Sequence, residues 1–201
     1  IHPGTVWFSS REDGNEALAE ARLRPAGIPC ERLDPSDLRD QFPSIAIEDL
    51  LFALYEPEAC VVRASQCVHA LVDRARQRGA NMVFGLATPH PEGVLVNGEV
   101  LSADRVVWAC GAWLGKLFPQ WAPVTATRQD VFYWDSPAEW RNGLSWQDVD
   151  HQMYGFPDVD GLGVKAVTDK PGRPLDLDMP ARRPEAEGEQ TVREYLPLRF
   201  P

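Results

Sequence analysis

Arg105-Val106-Val107-Trp108-Ala109-Cys110-Gly111-Ala112-Trp113-Leu114 is the longest apolar run in the chain. Its Val-rich part, Ala103 to Ala109, predicts a strand buried on both faces, as in a parallel sheet. The run ends in small residues, which let a ligand approach the backbone closely. Ligands of open α/β sheets sit at the carboxyl ends of the strands. Gly111 and Ala112 are therefore candidates to face a cofactor, the other reading being a plain turn after a buried strand.

Upstream, Gly93-Val94-Leu95-Val96-Asn97-Gly98-Glu99-Val100-Leu101 predicts a β-hairpin on its Asn-Gly turn. Asn81 to Leu86 predicts a strand. Ala64 to Gly79 predicts a helix, because Cys67, Val68, Leu71, Val72 and Ala75 form one apolar stripe. Arginines crowd its last turn and Gly79 stops it. Nearer the start, Thr5-Val6-Trp7-Phe8 and Leu51 to Tyr55 predict strands. Asn15 to Arg24 and Pro35 to Pro43 predict helices, the second capped by Asp34 or Ser36. After Pro123 the pattern changes to short strands at Gln129 to Trp134, Gln152 to Phe156 and Leu162 to Val167. That half predicts a mainly antiparallel sheet. Residues 168–201 predict a long loop or partly disordered tail with one helical pattern, Glu187 to Leu196.

The chain has 201 residues, 44% hydrophobic and 25% charged, in the range of globular proteins. No apolar run has the ~18 residues of a membrane span. A net charge of −10 disfavours nucleic acid and anionic membrane surfaces as partners. Cys30, Cys60, Cys67 and Cys110 contain no C-x-x-C pair, so neither a zinc nor a thioredoxin-like site is expected. They read as four buried thiols in a reducing cytoplasm. His2, His69, His90 and His151 show no metal spacing, and no metal site is expected.

Lys165 stands in an apolar strand with Val164, Ala166 and Val167 around it. Turned inward, its charge would be disfavoured by burial, which marks a functional candidate. The alternative is an edge-strand lysine pointing to solvent. Tyr154 faces the same choice between core packing and a pocket hydroxyl.

The order of motifs carries a resemblance. It runs Gly4-Thr5-Val6-Trp7-Phe8, Tyr55-Glu56-Pro57-Glu58-Ala59-Cys60, the helix to Arg78-Gly79-Ala80, Asn97 to Val107, Cys110-Gly111-Ala112-Trp113, Thr127-Arg128-Gln129, then Tyr154-Gly155-Phe156-Pro157 and Gly163-Val164-Lys165. This resembles the flavin-dependent amine oxidases of the D-amino-acid oxidase superfamily, near the monomeric sarcosine and N-methyltryptophan oxidases. The resemblance implies an α/β (α+β) chain. It would combine a partial FAD-binding domain of the glutathione-reductase type with a mainly antiparallel-sheet substrate domain. Residues 1–54 would begin the substrate domain, 55–118 belong to the FAD domain, and 119–201 return to the substrate sheet.

The implied reaction oxidises the C–N bond of a secondary or N-substituted amino acid. Hydride passes to FAD, and oxygen is then reduced to hydrogen peroxide. By resemblance, Lys165 assists the oxygen step electrostatically and Tyr154 lines the substrate pocket. Gly111, Ala112 and Trp113 lie beside the flavin, Thr88 lies near its adenine, and Arg128 matches the Arg-Gln of a strand entering the substrate sheet, with a purely structural role as the other reading. The G-x-G-x-x-G fingerprint is missing, as is the downstream segment with the flavin-attaching cysteine. An internal fragment of such an enzyme, inactive alone, is the expectation. A histidine that the family places shortly after the lysine falls at Asp169, so sarcosine need not be the substrate. A flavin dehydrogenase of the same superfamily and a non-catalytic binding module or relic are the alternatives.

Overall fold

Thr5–Ser9 (β1) alternates over its first four residues: Val6 and Phe8 are fully buried while Thr5 and Trp7 are only partly so, and Ser9 at the end is buried too. Residues of one strand point to opposite faces in turn, so β1 separates a core face from a second face. The computed structural model describes residues 3–136, 138–179 and 183–201. They fall into two compact units, one of residues 1–62, 129–171 and 182–201, the other of 63–128 and 172–181.

The first unit is built on a seven-stranded sheet. Its other strands are Glu31–Leu33 (β2), Phe52–Glu56 (β3), Phe132–Trp134 (β7), Ser145–Asp148 (β8), Met153–Phe156 (β9) and Val164–Thr168 (β10). The order is β2-β3-β1-β8-β9-β10-β7. Every neighbouring pair is antiparallel except β1 with β8, which is parallel. The sheet is therefore mixed, and mainly antiparallel as expected. Its polar β8, Ser-Trp-Gln-Asp, has no strong strand signature and escapes a sequence reading.

The core lies on one face. Val6, Phe8, Leu33, Ala53, Trp146, Met153 and Ala166 of the sheet meet Leu38 of helix Pro35–Gln41 (α2) and Val192 and Tyr195 of helix Ala186–Arg199 (α5). Full burial of one large apolar side chain contributes about 1.5–3 kcal/mol. The helical pattern expected at Glu187 to Leu196 is the helix α5, which runs to Arg199 and closes the core. Its pattern looks polar because only Val192, Tyr195 and Arg199 are buried. Helix Asn15–Leu23 (α1) packs on β1 and β3, where Phe52 and Leu54 of the other face are buried. Asp34 caps α2: its carboxylate accepts the Asp37 backbone N–H at 3.0 Å. Asp34→Ala is expected to destabilise the helix by removing this cap, read as a lower midpoint in urea at unchanged slope.

The second unit holds helix Ala64–Gln77 (α3) and a small antiparallel sheet of Ala87–His90 (β4), Gly93–Val96 (β5) and Glu99–Leu101 (β6). It also has a tight turn, Gly111–Trp113, leading into Leu114–Leu117 (α4). The hairpin turns at Asn97 and Gly98, both at positive φ, as an Asn-Gly turn requires.

Helix α3 forms where expected, but its apolar stripe is uncovered: Val68 is 56% and Leu71 68% exposed. Two strand expectations fail in this unit. Residues 81–86 form no strand, and Phe84 and Leu86 are exposed. Ala103 to Ala109 forms no buried parallel strand, and Val107 is 88% exposed. A parallel strand needs hydrogen-bonding neighbours, and no strand among the described residues lies beside these. Apolar periodicity reports which face wants cover, not whether cover is present. The cysteines follow suit: none is buried, Cys60 and Cys67 are exposed, and all four are free. Cys67 sits on the uncovered α3 stripe. Among the described residues, no helix is long and apolar enough to cross a membrane.

Candidate active site

The face of the large sheet opposite the core carries the candidate site residues Tyr154 and Lys165. Register places its side chains: Trp7 is opposite Gln147, Gln147 opposite Tyr154, and Tyr154 opposite Val167. One step along, Phe156 is opposite Lys165, and Lys165 opposite Tyr133. Tyr154, Phe156 and Lys165 are half-buried and Tyr133 is exposed.

Lys165 is not on an edge strand, since β10 runs between β9 and β7. Its Nζ lies 4.9 Å from the Phe156 ring centre and 5.3 Å from that of Tyr154. An ammonium over aromatic faces gains cation–π attraction. It makes no ion pair among the described residues, and burial lowers its pKa below the usual lysine value. Tyr154 is shifted upward, first by burial and then by the charge of Asp169, so its phenol stays neutral at ordinary pH. The structure thus brings together the two residues expected to be catalytic.

Local sequence explains the pairing. A Cβ on Gly155 would lie 2.4 Å from the Trp146 ring and 2.5 Å from the Lys165 carbonyl oxygen. Only glycine lets β9 close on β10 there, with the Trp146 indole packed across it. The neighbours Tyr154 and Phe156 then project together to the opposite face.

Trp7 stands on the same face, its Nε1–H donating to Glu56 Oε1 at 2.7 Å. Thr5 and Ser145 share a hydroxyl hydrogen bond of 2.5 Å, and Ser145 Oγ donates to the Gly4 carbonyl. Sequence reading singled out none of Trp7, Gln147 or the role of Phe156. The available signal was period two: each is an even number of residues from a site residue on its strand, or in register with one across the ladder.

The expected cofactor residues lie in the second unit. Thr88 is in β4, paired with Leu95. Gly111 takes φ +55, and among the described residues nothing lies within 4 Å of where its Cβ would stand. Ala112 lines a hollow of about 350 Å³ with Gly115, Lys116 and Leu175. Trp113 is 44% exposed. The Gly-Ala-Trp element therefore ends in an open, side-chain-poor backbone turn, and not at a buried strand end. Arg128 is tied into the same unit through its backbone N–H to the Arg173 carbonyl. It is not part of a strand, since β7 starts only at Phe132.

Taken unit by unit, each set of residues fits part of what a flavin needs. In the first unit, a half-buried ammonium with no carboxylate partner among the described residues, held on aromatic rings, can stabilise negative charge developing on a neighbouring group. An open glycine turn gives a bulky cofactor room to meet backbone N–H groups. A larger groove of about 570 Å³ lies on the core side, against Val6, Phe42, Tyr55, Trp146 and Phe200. It is across the sheet from Lys165 and is not part of this site.

Comparison with known proteins gives the family. The family described as "DAO: FAD dependent oxidoreductase" matches residues 1–201. Monomeric sarcosine oxidase of Streptomyces avermitilis is 32% identical over 161 residues, covering 70% of this chain and 41% of that protein. N-methyl-L-tryptophan oxidase of Yersinia pestis is 29% identical over 114 residues, 53% of this chain and 30% of that protein. The glycine oxidase structure from Bacillus cereus superposes with a TM-score of 0.70 at 19% identity, over 100% of this chain and 56% of that one. The chain thus spans about half the length, or less, of the proteins it matches.

Proposed function

The chain belongs to the DAO family of FAD-dependent oxidoreductases, and we propose that it supplies the substrate face of an enzyme oxidising the C–N bond of a secondary or N-substituted amino acid. The single observation that carries this reading is Lys165, an ammonium on the Tyr154–Phe156 aromatic face with no ionic partner among the described residues. In this reading residues 1–54 and 119–201 belong to the substrate domain and 55–118 to the flavin domain. The separation of residues 63–128 as part of their own compact unit supports that division. The relatives named for sarcosine and N-methyltryptophan support an amino-acid substrate.

Gly111, Ala112, Trp113 and Thr88 would hold FAD, which supplies a two-electron acceptor that oxygen can regenerate, with hydrogen peroxide as product. The protein's own groups do the rest. The Tyr154 and Phe156 rings exclude water from one side of the reacting carbon, where a hydride must not be lost to solvent. The neutral Tyr154 hydroxyl orients the amine by hydrogen bonding. The Lys165 ammonium favours electron transfer to oxygen, because negative charge develops there. A reducing compartment such as the cytoplasm suits the four unpaired cysteines.

The test is anaerobic mixing of the FAD-loaded whole enzyme, of which this chain is a part in this reading, with a panel of N-methyl amino acids. Loss of the flavin's visible absorption, and peroxide on admitting air, is the expected result. Flavin that stays oxidised with every secondary amine would overturn the reading.

A further inference from the structure

The first turn of α1 buries a carboxylate with no cation beside it. Glu16 is only 2% exposed, and Ser9 at the end of β1 is fully buried next to it. Glu16 Oε2 accepts from Ser9 Oγ at 3.0 Å, while Glu16 Oε1 is buried with no hydrogen-bond partner among the described residues. Glu16 makes no ion pair among those residues either. The arginine of the same loop, Arg11, is turned to Asp150, its Nε 3.6 Å from Oδ1, and is largely exposed. Buried charges are ordinarily paired or hold a metal ion. The free N–H groups at the start of α1 supply about half a positive charge, which leaves the remainder uncompensated.

Hydrogen counting points the same way. Ser9 Oγ is 2.9 Å from the Arg11 carbonyl oxygen and 3.0 Å from Glu16 Oε2. A hydroxyl has one hydrogen and donates it to one of the two. Three oxygens therefore meet with a single hydrogen among them, and the unpartnered Oε1 is attached to one of the three. The loop is shaped to allow this. Gly14 is buried against the cluster, and a Cβ there would run into Glu16 Oε2 and stand 3.1 Å from Ser9 Oγ.

The donors are a carboxylate, a hydroxyl and a backbone carbonyl, the oxygen set of hard cations. Charge selects among these. One carboxylate balances one positive charge, and among the described residues no three His, Cys, Asp or Glu side chains gather to hold a metal ion. No His or Cys takes part, so the spacing of those residues gives no sign of the cluster. We propose that Glu16, Ser9 and the Arg11 carbonyl form a site for a dehydrated monovalent alkali cation, sodium or potassium, which pins the start of α1 to the end of β1. Ser9 is paired with Phe52 of β3, so the cation also steadies that end of the ladder. The site is independent of the amine-oxidation reading.

The test is hydrogen–deuterium exchange in the backbone of α1, followed by mass spectrometry in the whole enzyme to which this chain belongs in the reading above. Sodium, potassium and tetramethylammonium chloride are compared at equal ionic strength, so that screening is the same in each. A cation bound only to the closed state lowers the opening constant in proportion to its concentration once the site fills. Exchange of α1 should therefore slow by up to tenfold for each tenfold rise in sodium or potassium, and not with tetramethylammonium. The more effective alkali ion identifies the occupant. Glu16→Gln keeps the shape of the side chain, removes its charge and should abolish the alkali dependence. Asp13→Asn, exposed on the same loop, should keep it. Ser9→Ala removes one oxygen and should move the dependence to at least tenfold higher concentration, which decides the matter should Glu16→Gln not fold. Equal exchange in all three salts overturns the proposal, because a water or a proton at the carboxylate would give that result. An alkali dependence that survives unchanged in Glu16→Gln or Ser9→Ala also overturns it, since the cation then binds elsewhere.

Discussion

Lys165→Met is expected to slow oxygen uptake during amine turnover by about 10²-fold or more, the scale set by removing one preorganised charge stabiliser. Met keeps the length and apolar stem of lysine, so the packing on Tyr154 and Phe156 survives while the charge is lost. Reduction of the flavin by amine under anaerobic conditions should change far less. That split separates an oxygen-step role from a binding role. The pH profile gives an independent check. Burial lowers the Lys165 pKa from its usual value. The ammonium is present below that pKa, so oxygen uptake should fall as pH rises through it, earlier than for a solvated lysine. The Met variant should lack that limb. Oxygen uptake equal to wild type would show that Lys165 has no part in the oxygen step and would favour electron transfer to a carrier instead.

Asp148→Ala is expected to destabilise the protein by about 3–5 kcal/mol, the cost of leaving a buried charge without its partner. Both side chains of the Asp148–Arg199 pair are only 2% exposed. Asp148 Oδ2 accepts from Arg199 Nη2 at 3.0 Å and from the Tyr195 hydroxyl at 2.9 Å. Its Oδ1 lies 2.9 Å from His151 Nδ1. Burial works against the Arg199 charge, but Asp49 and Asp148 hold its pKa above the ordinary value. Removing Asp148 leaves the guanidinium with Asp49, which is half exposed and solvated, and strands the Tyr195 hydroxyl. The network ties α5 to β8, so its loss should free the last helix. Urea unfolding of Asp148→Ala against wild type checks this, and a change below 1 kcal/mol would refute it. Asp49→Ala should cost much less, because its carboxylate is screened by water.

Local elements were readable where sequence chemistry is local. The Asn97-Gly98 hairpin, the Asp34 cap and the α3 register depend on neighbours within a few residues. The Tyr-Gly-Phe and Lys165 motifs were readable as a candidate pair because their order resembles a family. What escaped depends on partners far away in the chain. Asp148 and Arg199 are 51 residues apart, and nothing in either stretch foretells the other. The side of the sheet that stays open is decided by where α2 and α5 pack, which alternation cannot say. Gln147 and Trp7 thus read as ordinary strand residues until register sets them beside Tyr154. The Val106-Val107 run misled for the converse reason: its apolar character is real, but no strand among the described residues pairs with it.

The alternation along β9 and β10 has a consequence for how such an enzyme diversifies. On these strands Met153 and Ala166 are sealed in the core, while Tyr154, Phe156 and Lys165 face outward. Substitutions at the inward positions are constrained by packing, and most would be purged for lost stability. Those at the outward positions alter recognition while leaving the core contacts intact. One pair of strands therefore keeps two ledgers, heritable separately, and new substrate preferences can be sampled without crossing the threshold at which the fold fails.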